Sequence, residues 1–239
     1  MTAPGGGSGG ADLRTTIIAA CRELTRRGLT HGTSGNVSVR YDEHRFFISP
    51  SGVDYEALRT DDVPLMDLEG RWFGRCRPSS EWRIHRDIFA SRHDVGAIVH
   101  THSPLATALA CTGRGIPAFH YMVAVAGGRD IRCAGYCTFG TQELSDAALA
   151  ALKDRKACLL ANHGVIATGA DLPKALSLAD EVENLARQYS AALSLGEVRL
   201  LDDAEMGRVV EKFRTYGLPN APDADLVFGG AQPGSLEGS

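Results

Sequence analysis

The sequence predicts one α/β domain that is not a doubly wound nucleotide-binding fold. Segments with helical periodicity alternate with short apolar or alternating segments from about residue 13 to residue 218. The strand-like segments fall at irregular intervals, unlike the regular β-α-β spacing of a parallel sheet. No internal repeat or linker interrupts the pattern, and 239 residues with a 44% hydrophobic fraction suffice for one sizeable core.

The elements follow in order. Residues 1–12, with five glycines in MTAPGGGSGGAD, read as a flexible leader. Leu13, Ile17, Ile18, Cys21 and Leu24 recur at helical spacing until Gly28. The turn-rich Thr30-His31-Gly32-Thr33-Ser34-Gly35-Asn36 feeds a strand at 37–40, and a second strand at 45–48 ends at Ser49-Pro50-Ser51-Gly52. A hairpin is expected over 62–74, with Glu69-Gly70 at its turn. Pro78-Ser79-Ser80 opens a helix to about Arg92, a strand runs from Ala97 to His102, and Pro104 starts another helix. Residues 113–140 carry no clear period. A helix is expected from Thr141 to about Lys153, an apolar strand at 157–161, and helices at about 172–195 and 203–216. The Pro/Gly-rich stretch 219–239 reads as a disordered tail.

Composition excludes several classes. A net charge of −4 does not supply the positive field that nucleic-acid binding requires. No run of about 18 apolar residues is present, which argues against a membrane helix. The N-terminus has neither the basic segment nor the apolar core of a signal peptide, so a cytoplasmic protein is expected. The six cysteines include no C-x-x-C pair and read as reduced thiols; Cys133 and Cys137, four apart, make a weak zinc or redox pair.

The chemistry-bearing residues begin with His100-Thr101-His102. Positions i and i+2 of a strand project from one face, so the two imidazoles can converge on a cation. His163 also ends an apolar strand and precedes a glycine, giving three histidines at strand ends with room for substrate. Gly35-Asn36, Ser51-Gly52 and Ser79-Ser80 occupy three loops whose backbone N–H groups suit an anion; each pair also reads simply as a turn or helix cap. Glu81, in the first turn of its helix, reads either as a dipole partner or as a general base beside the metal. His85, four residues on, reads as a second ligand on the same helix face or as a buried, bridging histidine; the second is favoured because the strand histidines already supply three ligands.

In their order along the chain, G-T-S-G-N-V-S-V-R at 32–40, S-P-S-G at 49–52, P-S-S-E-W at 78–82, H-T-H at 100–102 and N-H-G at 162–164 resemble the class II aldolase/adducin family. The likeness is greatest to its bacterial L-fuculose-1-phosphate aldolases. It extends through I-P-A-F-H-Y-M at 116–122, T-F-G-T-Q-E-L-S at 138–145 and E-K-F-R-T-Y-G at 211–217, covering roughly residues 13–218. The resemblance implies a three-layer α/β/α fold with a mainly antiparallel central sheet, assembled as a four-fold homotetramer. It implies one divalent ion per subunit, zinc ahead of manganese or cobalt, on His100, His102 and His163. Glu81 would be a fourth ligand at rest and then the acid/base at C3 of dihydroxyacetone phosphate. Gly35, Asn36, Ser51, Gly52, Ser79 and Ser80 would hold the phosphate. Tyr121 would reach a neighbouring subunit's site to assist at the aldehyde oxygen, and Tyr216 would close over a neighbour's site.

The implied activity is cleavage of a ketose 1-phosphate, such as L-fuculose 1-phosphate, to dihydroxyacetone phosphate and an aldehyde. Breaking that C–C bond leaves an enediolate, which a divalent cation stabilises as a Lewis acid. The leading alternative is a 5-deoxyribulose or 5-methylthioribulose 1-phosphate aldolase. A pentulose-phosphate epimerase is disfavoured because Glu81 stands where those relatives carry aspartate; a 5-methylthioribulose-1-phosphate dehydratase is a further alternative. Retention of the histidines and the glutamate argues against a non-enzymatic, adducin-like module. A hydrolase using the same histidines would release no aldehyde.

Overall fold

The computed structural model describes residues 8–215, to which all structural statements refer. The first helix, α1 (Ser8–Arg26), buries Ile17, Ile18, Cys21 and Leu24. It begins earlier than expected: residues 8–12, assigned to the leader by their glycines, are helical. Next come β1 (Asn36–Arg40), β2 (Arg45–Ile48), β3 (Leu65–Asp67) and β4 (Trp72–Phe73), the last pair forming the expected hairpin. Then α2 (Trp82–Ser91), β5 (Ala97–Thr101) and α3 (Pro104–Cys111) follow close to their expected bounds. The region without a clear period holds a 3-10 helix, Tyr121–Ala126, and a short strand, β6 (Arg132–Ala134). The chain continues through α4 (Gln142–Ala151), β7 (Ala157–Leu160), β8 (Gly164–Gly169), α5 (Leu172–Leu195) and α6 (Asp203–Thr215). Strand β8 had no counterpart in the expected elements. Tyr216 and the stretch 219–239 lie outside the described residues.

Within residues 8–215 the strands form one sheet in the order β4-β3-β2-β1-β5-β8-β7-β6. Every pairing is antiparallel except β6 with β7. Side-chain alternation along each strand divides the core in two. Val37, Val39, Ala97, Val99 and Val165 face the layer of α1, α3 and α5. Ile48, Ile98, Leu160 and Ile166 face α2 and α4. The expected helix–sheet–helix layering with a mainly antiparallel sheet is therefore what the chain adopts.

The register sets the site. Asn36 on β1 pairs with His100 on β5, and His100 pairs with Ile166 on β8. His100 thus occupies the α2-facing side of the central strand at its C-terminal end, beside the start of α2. The β7–β8 hairpin returns to the same end, with Asn162 in the left-handed region (φ 54°) and His163 at its turn.

Candidate metal and substrate site

Four side chains from four places in the sequence meet at this end of the sheet. His100 projects from β5, His102 follows that strand, His163 sits in the β7–β8 turn, and Glu81 is the N-cap residue of α2. One ligand atom from each lies within 4.8 Å of the others. The Nε2 atoms of His100 and His102 are 3.0 Å apart. Glu81 Oε2 is 3.0 Å from His100 Nε2, and Oε1 is 3.0 Å from His163 Nε2. The rings of the three histidines stand edge to face, with centroids 4.9–5.0 Å apart.

Those distances suit a single tetrahedral cation: bonds of about 2.0 Å put neighbouring donors about 3.3 Å apart. The chemistry of the donors agrees. His100 Nδ1 is 2.8 Å from the Val165 carbonyl, an acceptor only, so Nδ1 carries the proton and Nε2 offers a lone pair. Glu81 Oε1 is buried and accepts no well-aligned hydrogen bond, the condition of an oxygen awaiting a cation or a substrate proton. A polar cluster packed this tightly is costly without a positive charge at its centre.

The electrostatics hold Glu81 ionised and His102 neutral, as metal ligation requires, while His100 must give up a proton to a cation that it binds. Burial pushes the Glu81 carboxyl up, but His100 and His163 outweigh that and hold it well below the usual carboxylate range. Burial works to depress His100, yet Glu81 outweighs it and the net shift is upward. His102 is pushed down to about 4, first by burial and then by His100 and His163, and so is neutral near pH 7.

Glu81 does not serve as an ordinary helix cap. Although it is the N-cap residue of α2, its side chain makes no capping bond and reaches across to the histidines. The Ser79 hydroxyl instead accepts from the Glu81 N–H at 3.2 Å. His85 is fully buried and is not one of the converging donors, which decides for the bridging reading over the ligand reading.

Beside the donors lies a pocket of about 300 Å³. Gly35, Asn36, Ser51, Gly52, Ser79 and Ser80 all line it, as do Glu81, His102 and His163. Three loops from distant parts of the sequence thus converge with the N-terminus of α2, where the helix dipole favours an anion. The loops are tied together: Ser79 N–H donates to the Ser49 carbonyl at 3.0 Å, Ser51 N–H to the Arg77 carbonyl at 3.1 Å, and the Tyr55 hydroxyl to the Gly35 carbonyl at 2.7 Å.

Sequence reasoning missed part of the lining. Tyr136, Cys137 and Phe139 form one wall, and Asn162 completes the edge near His163. Tyr136 and Phe139 are 64% and 65% exposed, so two aromatic side chains stand at the pocket's mouth. Tyr136 and Cys137 fall where the sequence has no periodic signal, while Phe139 and Asn162 stand in family-like motifs that do not by themselves assign a pocket role. Tyr121 does not line this pocket; it is 51% exposed on the 3-10 helix, beside His120 and Phe213. A larger cleft of about 600 Å³, bordered by Arg92, Lys156 and Lys174, contains none of the converging donors.

Two glycines are fixed by the site. Gly35 has φ +81°, and a Cβ there would lie 2.7 Å from the His100 carbonyl oxygen. At Gly164 a Cβ would sit 2.2 Å from the Thr101 carbonyl oxygen, 3.0 Å from His102 Cδ2 and 3.3 Å from His100 Cε1. Gly164→Ala is therefore expected to push two ligands apart, lowering metal content and costing about 1–3 kcal/mol of stability from overpacking. Metal analysis with thermal melting checks this; a variant with full metal content and unchanged melting would contradict it.

Comparison with known proteins agrees with this geometry. Residues 15–190 match the family described as Class II Aldolase and Adducin N-terminal domain. The 5-methylthioribulose-1-phosphate/5-deoxyribulose-1-phosphate aldolase of Rhodospirillum rubrum is 56% identical over 214 residues, 88% of this chain and 96% of that protein. The L-fuculose phosphate aldolase of Escherichia coli K12 is 49% identical over 207 residues, 86% of this chain and 96% of that protein. Among solved structures, an L-fuculose 1-phosphate aldolase superposes with a TM-score of 0.84 at 40% identity, covering 87% of this chain and all of that one. The chain therefore belongs to the class II aldolase and adducin family, and it is one of that family's aldolases, a lyase.

Proposed function

We propose that this aldolase cleaves 5-methylthioribulose 1-phosphate and 5-deoxyribulose 1-phosphate between C3 and C4, releasing dihydroxyacetone phosphate and an aldehyde. The observation that carries the reading is the 56% identity, over 96% of its length, to an aldolase named for these two substrates. It takes precedence over the expected substrate, L-fuculose 1-phosphate, to whose aldolases in Escherichia coli and Haemophilus influenzae the chain is 49% and 44% identical. The two aromatic side chains at the mouth support the same choice. Cleavage of the two deoxy sugars leaves a methyl or methylthiomethyl group on the aldehyde, which suits the exposed rings of Tyr136 and Phe139.

His100, His102 and His163, with Glu81 at rest, would hold a divalent cation, zinc being the first choice for three imidazoles and a carboxylate. When bound, it supplies Lewis-acid stabilisation of the negative charge that develops as the C–C bond breaks. The residues of the chain supply the rest. Gly35, Asn36, Ser51, Gly52, Ser79 and Ser80 anchor the phosphate, so that the scissile bond is presented in one orientation. Glu81, ionised at rest, takes up a proton from solvent and returns it to C3, and Oε1, buried and without a well-aligned hydrogen bond, is the atom that carries it. Tyr121, exposed and outside its own pocket, accepts the C4 hydroxyl proton in a neighbouring subunit of a homotetramer while giving up its own phenolic proton to solvent.

Dihydroxyacetone phosphate release from matched panels of 5-methylthioribulose, 5-deoxyribulose, L-fuculose and L-rhamnulose 1-phosphates tests the assignment. The expected result is that kcat/KM for the two deoxy sugars exceeds that for L-fuculose 1-phosphate by about tenfold, the scale of one mismatched polar group in an apolar pocket. A higher kcat/KM for L-fuculose 1-phosphate would instead favour the second reading, to which the 49% identity points.

A further inference from the structure

One buried histidine in this site is neither a metal ligand nor a pocket-lining residue. His85 lies on α2, one turn beyond Glu81, with no exposed surface. Its Nδ1 is 2.6 Å from the Ser38 hydroxyl and its Nε2 is 2.5 Å from Asn36 Oδ1. Asn36 and Ser38 are two apart on β1 and so project to the same face, which the ring spans. The Asn36 amide then donates from Nδ2 to Glu81 Oε2 at 3.0 Å. Ser38, His85, Asn36 and Glu81 form one continuous buried chain.

The direction of that chain is determined by its last member. An ionised carboxylate only accepts, so Asn36 must present its NH₂ to Glu81 and its carbonyl oxygen to His85. The carbonyl requires a donor, which puts the His85 proton on Nε2. Nδ1 is then an acceptor, and the Ser38 hydroxyl donates to it. Burial pushes the ring down to about 3, with His100 adding to the effect, so His85 is a neutral imidazole at physiological pH and can hold this single tautomer. Reversing the amide would set Asn36 Oδ1 against a carboxylate oxygen, a repulsive contact in a site of low polarity.

We propose that His85 is a positioning residue: through Asn36 it fixes the direction of the amide that holds Glu81 Oε2, and thereby the orientation of the carboxylate that carries the proton. The inference rests on the role given to Glu81 above. With Oε2 held by Asn36, Oε1 is the oxygen left for chemistry.

Two substitutions and a spectrum test this. His85→Gln can return an amide donor near the Nε2 position and is expected to keep kcat within about threefold of the parent. His85→Leu removes both ring nitrogens and is expected to lower kcat by about 10–100-fold, the usual effect of losing an outer partner of a ligand, with KM and metal content little changed. On an Asn36→Ala background His85→Leu should slow the enzyme no further, because the intermediary is already gone. If it slows that background by the same factor, His85 does not act through Asn36. Long-range ¹H–¹⁵N spectra of the histidine rings in the metal-free protein give a readout independent of catalysis. A neutral Nε2–H tautomer for His85 is expected, and an Nδ1–H or protonated ring would overturn the proposal. Absence of cleavage by the parent enzyme on every substrate would overturn the functional reading instead, while the spectrum would still decide the tautomer.

Discussion

His100→Ala is expected to abolish aldol cleavage and to leave the purified protein without its divalent metal. His100 is the central member of the donor set, with Nε2 3.0 Å from both His102 Nε2 and Glu81 Oε2. Its other nitrogen is fixed by the Val165 carbonyl on the adjacent strand, so no other side chain can take over its position. Loss of a mere outer partner costs roughly 10–100-fold in metal affinity, and loss of a ligand costs more. Glu81 keeps Asn36 and His163 as partners, so the fold should survive the change. Metal content by mass spectrometry, measured beside a thermal melt, separates the two effects. A folded variant with metal content equal to the parent would show that the site is misplaced.

Much of this site was legible in the sequence, for a physical reason that differs from residue to residue. His100 and His102 are legible because strand alternation puts i and i+2 on one face; H-x-H alone is a weak sign of a metal, and His163 after a second apolar strand strengthens it. Gly35, Asn36, Ser51, Gly52, Ser79 and Ser80 were each ambiguous with turns and caps, and only the ordered family motifs joined them. The structure brings all six to one pocket. Strand β8 was not legible: Val165-Ile166-Ala167 is a short apolar run buried between β5 and β7, and such a run has no period to distinguish strand from helix. The start of α1 is not legible from composition: glycines suggest a flexible leader, whereas Gly9 and Gly10 lie in the first turn of the helix.

The link from His85 to Asn36 spans 49 residues and is invisible to any local pattern. The same holds for Tyr136 and Phe139, whose place at the pocket mouth depends on how the loop before α4 folds back toward Ser80 and Glu81. Arg83 helps to hold that loop, donating to the Gly140 carbonyl at 2.7 Å. The substrate choice proposed here depends on this loop, and it was the part of the functional reading that local sequence could least decide.

Glu81→Gln tests the chemistry at its centre. Glutamine preserves the shape of the side chain and an acceptor for Asn36, and the three histidines still hold the cation. It cannot return a proton to C3, a contribution worth about 10²–10⁴-fold in rate. The measurement is release of dihydroxyacetone phosphate by the metal-loaded variant, together with solvent deuterium exchange at C3 of added dihydroxyacetone phosphate. Metal content equal to the parent, kcat lower by about 10²–10⁴-fold, and loss of the exchange are expected. Full cleavage and full exchange with the metal bound would contradict this role for Glu81, and would move the proton to another group in the pocket.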